Sequence, residues 1–211
     1  MDCVNKEKSI ARGAARGRPG YSREDVIRAA VRVFTARGYD ATSMDNVASE
    51  LGISKSALYH HISSKEEILE LTVVQALSRL EAVAEEMAEA DVSAGAKVRG
   101  LLRGSIEVLC SDPKSVALLL RLRGNSEVER SALERRRILT RSVIPLVAAA
   151  QEEGAIRSDV DASLLTRMIF GMINSTSDWY EPEGRLDADE LAATFESVVF
   201  GGLAPQAMTM E

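Results

Sequence analysis

Apolar residues return every three or four positions along almost the whole of this chain, the spacing of one face of an α-helix. A hydroxyl residue with Asp or Glu three positions later marks where several runs begin: Ser22-x-x-Asp25, Thr42-x-x-Asp45, Ser63-x-x-Glu66 and Ser64-x-x-Glu67. In that arrangement the hydroxyl accepts from one orphan N–H of the first turn and the carboxylate from another. No stretch alternates convincingly like a strand, and no repeat emerges. The expected fold class is all-α.

The runs predict about nine helices. The first starts at Ser22, turns Val26, Ala30, Val33 and Phe34 inward and stops at Gly38. The second, after Thr42, buries Val47, Ala48 and Leu51 and ends at Gly52. Ser54 caps a third, Lys55 to about His61, with Ala57, Leu58 and Ile62 inward. A long fourth runs to about Ala90. The others are expected near 94–111, 113–123, 126–153, 161–180 and 187–203. Pro145 falls inside one of them, where a kink or break is expected. The domain reading is a flexible basic arm over 1–21, a helix-turn-helix unit over 22–66, a larger helical body over 67–205 and a frayed tail over 206–211.

Composition sets the outer limits. No apolar run in the 211 residues approaches the ~18 needed to cross a bilayer, so no membrane partner is expected. The first 20 residues lack the apolar segment of a secretory signal. Cys3 and Cys110 are isolated, which fits a reducing cytoplasm. The net charge of −6 is unevenly spread. Residues 1–65 hold 11 Lys+Arg against 7 Asp+Glu, and residues 66–211 hold 15 against 25. A basic front on an acidic body suits a nucleic-acid module joined to something else, although chance scatter gives the same count.

The stretch from Ser43 to Ile62 concentrates the chemistry. Val47, Ala48, Leu51, Ile53 and Leu58 can form a small wedge, with Gly52 supplying the turn that only positive φ allows easily. That is the geometry of a helix-turn-helix whose second helix enters a major groove. The outer face then carries Ser54, Lys55, Ser56, Tyr59 and His60, groups that suit phosphate oxygens and base edges. Tyr59 reads either as outward or as partly core. His60 and His61 point apart on a helix, and no other histidine exists to complete a metal site.

The segment from Arg23 to Leu69 resembles the DNA-binding domain of the TetR family of bacterial transcriptional regulators. The residues that carry it are Ala29-Ala30 with Phe34, Gly38-Tyr39, Ala41-Thr42-Ser43, Val47-Ala48, Leu51-Gly52-Ile53-Ser54, Leu58-Tyr59-His60-His61 and Ser64-Lys65-Glu66-Glu67. The resemblance implies three helices that bind operator DNA, a ligand pocket behind them and a homodimer built from the last two helices. It implies that Thr42 and Ser43 meet a phosphate, that Lys55, Tyr59, His60 and Lys65 contact the DNA backbone, and that Ser54, Ser56 and Ala57 read bases. His61 departs from the aromatic ring common near that point, and Ile62 replaces a bulkier core residue. The basic arm adds minor-groove contacts or is a plain tail.

In the body, Leu101, Leu102, Ile106, Leu109, Leu119, Leu122, Val147, Met168, Met172 and Ile173 face inward, mostly as core. Met168 and Met172 could also line an adaptable pocket. Arg99, Arg103, Arg121, Arg123, Asn174, Ser175 and Asp178 interrupt these runs, as a solvated face or as sites for an anionic effector. The segment Asn174 to Leu203, with its Trp179-Tyr180-x-Pro182-x-Gly184 turn and Gly201-Gly202-Leu203 end, resembles family members that answer to acyl-CoA thioesters. Such an effector would use cations from Arg103, Arg121, Arg123 and Arg167, with Met168, Met172 and Asn174 beside it. Leu164, Leu165, Ile169, Trp179, Phe195, Val199 and Phe200 are expected at the homodimer interface, since two heads related by a two-fold axis read a palindrome.

These readings converge on a ligand-responsive regulator, a repressor in the first instance, with double-stranded operator DNA and a small-molecule effector as partners and no cofactor. An enzyme is the competing class. The sequence offers no nucleophile with a histidine partner, no Gly-rich phosphate loop and no metal-ligand cluster, so no catalysis is expected. An architectural DNA binder, or an activator, remains as a third reading.

Overall fold

The computed structural model describes residues 21–202. The expected basic arm, apart from Tyr21, and the expected tail at 206–211 lie outside them. Among the described residues the chain forms nine α-helices: α1 (Arg23–Arg37), α2 (Met44–Leu51), α3 (Lys55–Tyr59), α4 (Lys65–Glu89), α5 (Ala94–Ser111), α6 (Pro113–Leu120), α7 (Glu127–Glu152), α8 (Ala162–Ser175) and α9 (Ala188–Gly201). A single 3₁₀ turn, Thr176–Asp178, follows α8. None of these helices is long and apolar enough to cross a membrane.

Local chemistry sets most of the helix starts. Ser22 and Asp25 exchange both bonds of a capping box. Ser64 accepts from Glu67 N–H, and Ser93, Ser126, Asp161 and Asp187 do the same for their helices. Three helices, α1, α2 and α9, end at a glycine with positive φ, and Gly52 at φ 65°, ψ 33° lies in the left-handed helical region.

Two expectations about helices change. The α7 helix continues through Pro145 without a break. Its flanking residues Val143 and Val147 are buried in one of the body's clusters, which holds the segment in place across the missing N–H. The α6 helix ends at Leu120, so Arg121 and Arg123 stand beyond it rather than within an apolar helix.

Three apolar clusters hold the molecule together. The first joins Val26, Phe34, Val47 and Leu58 of the first three helices, with Ile62 just after them, to Leu69, Val73 and Leu77 of α4, Leu118 and Leu119 of α6 and Ala132 of α7. The head is therefore welded to the body by a shared core, and α4 runs unbroken across residues 66 and 67. The second cluster lies among α5, α6, α8 and α9. The third lies between α5 and α7. Gly104 lets α4 and α5 approach closely, because a Cβ there would stand 2.6 Å from a methyl of Val83.

Candidate nucleic-acid interface

The α2–turn–α3 segment is fixed from the inside. Val47 and Leu58 are fully buried, and Ile62 nearly so. Gly52 N–H donates to Ala48 and Ser49 carbonyls, and Ile53 N–H donates to Ala48 O at 3.1 Å. The Tyr21 hydroxyl donates to Leu51 O at 2.9 Å, satisfying a carbonyl at the end of α2. Ser54 Oγ accepts from Ala57 N at 3.1 Å and starts α3.

With the inner face fixed, the outer face of α3 is open to solvent. Ser54, Lys55, Ser56 and His60 are exposed, Ala57 is half-buried and Tyr59 is 45% exposed. Ser43 is exposed at the start of α2, where its hydroxyl accepts from Asn46 N. Serine hydroxyls, a cation, a phenol and an imidazole thus share one accessible surface.

Two residues expected at the DNA turn inward. Thr42 is 2% exposed, and its hydroxyl donates to Gly38 O at 2.8 Å, so it cannot serve a phosphate. The cap of α2 falls to Ser43 and its partner to Asn46, one position later than the sequence box. Lys65 Nζ donates to Tyr39 O and Thr42 O, both at 3.4 Å, and lies 4.6 Å from the Tyr39 ring centroid. It closes the α1–α2 loop. The Tyr39 hydroxyl beneath is buried without a hydrogen-bond partner. Burial, with Glu66 and Glu129 nearby, pushes its pKa well above the usual phenol value and keeps it neutral.

Lys55 and Arg23 are engaged as well. Lys55 Nζ sits 3.0 Å from Asp45 Oδ2, and that hydrogen bond raises the lysine's pKa. Arg23 pairs with Glu67 at 2.6 Å and donates to His61 O at 3.3 Å.

The expected effector residues do not converge. Arg103 lies 3.6 Å from Asp189 and 3.5 Å from Glu196, tying α5 to α9. Arg121 donates to Thr35 O at 2.9 Å and lies 3.4 Å from Asp178. It links the end of α1 to the 3₁₀ turn. Arg123 lines a cleft between the α1–α2 loop and the α6–α7 loop. Arg167 and Met168 are exposed on α8, whereas Met172 and Asn174 are half-buried. The methionines therefore do not line the apolar slot. That slot is walled by Leu101, Leu102, Val143, Thr166, Phe170 and Ile173, among others, and its volume of about 10 Å³ admits roughly one water. It shares Leu101 and Val143 with a cleft of about 320 Å³ between α4 and α7.

The expected dimer residues divide in two. Leu164 and Trp179 are exposed, at 52% and 53%. Ile169 is a correction: at 7% exposed it belongs to the molecule's own second cluster, because it sits on the inner side of α8. Leu165, Phe195 and Val199 are half-buried against that cluster, and Phe200 packs on the third beneath the Arg99 guanidinium, 3.7 Å from the ring centroid.

Residues 26–72 match the model for bacterial regulatory proteins of the tetR family, and residues 91–203 match that for the tetracyclin repressor-like C-terminal domain. The chain belongs to the TetR family of transcriptional regulators. Its structure is similar to SCO3833, a TetR family member from Streptomyces coelicolor A3, with a TM-score of 0.79 and 42% identity over 85% of this chain and 91% of that one. In sequence it is 26% identical to the transcriptional repressor KstR2 of Mycolicibacterium smegmatis, over 88% of this chain and 92% of the relative. AibR, solved in complex with isovaleryl coenzyme A and operator DNA, shares the fold at a TM-score of 0.69 and 24% identity, over 84% of this chain and 97% of that one. Within the family, the residues singled out at α3 fall in the DNA-binding unit, and the body falls in the C-terminal unit.

Proposed function

We propose that this TetR-family regulator is a homodimeric repressor that leaves a palindromic operator when a small molecule enters its body. The observation that carries the reading is the solvent-open face of α3, held outward by a fully buried Leu58 and the Gly52 turn. Lys55, Tyr59 and His60 take phosphates and Ser54, Ser56 and Ala57 meet base edges, while Ser43 and the N-terminus of α2 meet a further DNA phosphate. Leu164 and Trp179, with the outer edges of Leu165, Phe195, Val199 and Phe200, face a second copy. Its similarity to the repressor KstR2 supports repression rather than activation.

The effector we favour is an acyl-CoA thioester. The Trp179-to-Gly184 turn supports it, as does the apolar slot behind the α4–α7 cleft, whose walls suit an acyl chain. The fold of AibR holds isovaleryl coenzyme A and operator DNA. At about 10 Å³ the slot must widen to admit a chain, so binding would push α5, α7 and α8 apart. Because α4 packs against α5 and α7 and carries the head, that movement would re-space the two reading helices. Strong release needs an effector preference of about 3 kcal/mol for the DNA-incompetent state, a ~150-fold shift. A calorimetric screen of CoA thioesters against the purified dimer tests the effector. Saturable binding that also releases DNA supports it, and no binding by any chain length removes it.

A further inference from the structure

Two polar groups in the body lack the partners their chemistry calls for. Thr176 is fully buried, and its hydroxyl has no hydrogen-bond partner. A hydroxyl taken out of water unpaired costs stability, so such groups are uncommon. Arg136 is half-buried on α7, on the side that turns Ala132, Leu139 and Val143 inward. Its neighbours Arg135 and Arg137 pair with Glu81 and Glu134, whereas among the described residues no carboxylate pairs with Arg136. Its Nη1 donates to Leu119 O at 3.3 Å. That leaves the Nε–Nη2 edge, a two-pronged donor that a carboxylate fits.

The two groups lie at the same end of the apolar slot. Across the slot, Val143 and Val147 of α7 stand with Thr166 and Ile169 of α8. The helices run antiparallel, with Ala150 and Ala162 meeting in the third cluster. Arg136 comes seven residues before Val143, and Thr176 seven after Ile169, two turns along in each case and toward the head. Both also meet the end of α6. Arg136 bonds to Leu119 there, and the Thr176–Asp178 turn packs on α6 and is tied to Arg121 through Asp178.

Resting on the effector reading above, we propose that Arg136 and Thr176 form the polar end of the effector site and bind a carboxylate carried by an otherwise apolar molecule that fills the slot. The guanidinium edge donates two hydrogen bonds and the hydroxyl a third. The carboxylate has two sources, a free apolar acid or an acyl thioester whose acyl group ends in a second acid group. The same contact reaches the head. Drawing Arg136 from Leu119 O uncaps the C-terminal end of α6, and Leu118 and Leu119 belong to the cluster that holds α1.

The test is calorimetry on the full chain with four sets of probes: linear monoacids of about six to twelve carbons, alcohols of the same lengths, and the CoA thioesters of the monoacids and of the diacids. Acids binding about tenfold or more tighter than alcohols identify the free acid. Diacid thioesters binding about tenfold or more tighter than monoacid thioesters identify the thioester. Arg136→Gln should abolish the preference and Arg136→Lys restore part of it. Thr176→Val should lower carboxylate affinity about tenfold. Because it removes a hydroxyl that has no partner, its Tm should equal or exceed the parent's, whereas a merely structural threonine would lower Tm and leave affinity alone. That variant carries the test if Arg136→Gln does not fold. If CoA thioesters bind but a carboxylate brings no preference, or Thr176→Val and a folded Arg136→Gln bind as the parent does, the inference falls and the effector reading stands. If no probe binds, both fall.

Discussion

Lys55 faces a choice between two anions. In the free protein it pairs with Asp45, both side chains being more than half exposed, and on DNA a phosphate would take that place. Lys55→Ala should weaken binding equally on all sequences and lower the salt slope by about two, one for each protomer, leaving the dimer intact by light scattering. Glu129 acts at the same scale but in the interior. It is 2% exposed and accepts from the N–H groups of Arg123, Gly124 and Asn125 at 2.9, 2.9 and 3.3 Å. Burial alone would raise its pKa; those bonds and the Ser126 hydroxyl outweigh it and hold the carboxyl below its usual value. A lowered folded-state pKa stabilises the protein above the unfolded carboxylate value, and the contribution is lost as pH falls through the folded value. Glu129→Gln should therefore lower Tm at neutral pH, and its Tm should fall less than the parent's on acidification. A Tm difference unchanged with pH would show that the charge plays no part.

Helices carry the next set of consequences, because α8 has two sides. Leu164 and Met168 point out, while Ile169 and Ile173 point into the second cluster. Leu164→Glu should produce monomers with helix content and Tm near those of the parent fold, seen by analytical ultracentrifugation. Ile169→Ala should instead cost about 2–5 kcal/mol of fold stability through a cavity, measured by urea unfolding. If Leu164→Glu remains dimeric, the interface lies elsewhere. The same contrast explains what the sequence could tell. Helix starts and the Gly52 turn are local, written in residues three or four apart, and they are legible. Which way Thr42 and Lys65 turn depends on carbonyls of the loop between α1 and α2, and no periodicity reports that. Ile169 and Leu164 both fit an apolar stripe, and only packing of α8 against α5 and α7 separates them. Arg121 looked helical because the α6 pattern continues, yet the helix stops at Leu120 and frees it to bridge Thr35 and Asp178.

At the scale of the molecule, the shared first cluster means that the head cannot swing freely. It joins α1, α2 and α3 to α4, α6 and α7, so a change of shape in the body moves the head as a unit. Arg121 and the bond from Asn125 Nδ2 to Asp40 add polar links at the same junction. The proposed function requires two outward α3 faces to read one duplex. Its most direct test is selection of bound sequences from a random duplex library, followed by footprinting with the intact protein and with Tyr59→Ala. A palindrome with half-sites centred about one helical turn apart, or a multiple of it, protected by the intact dimer and lost with Tyr59→Ala, is the predicted result. An unenriched library, or a footprint indifferent to changes on α3, would contradict it.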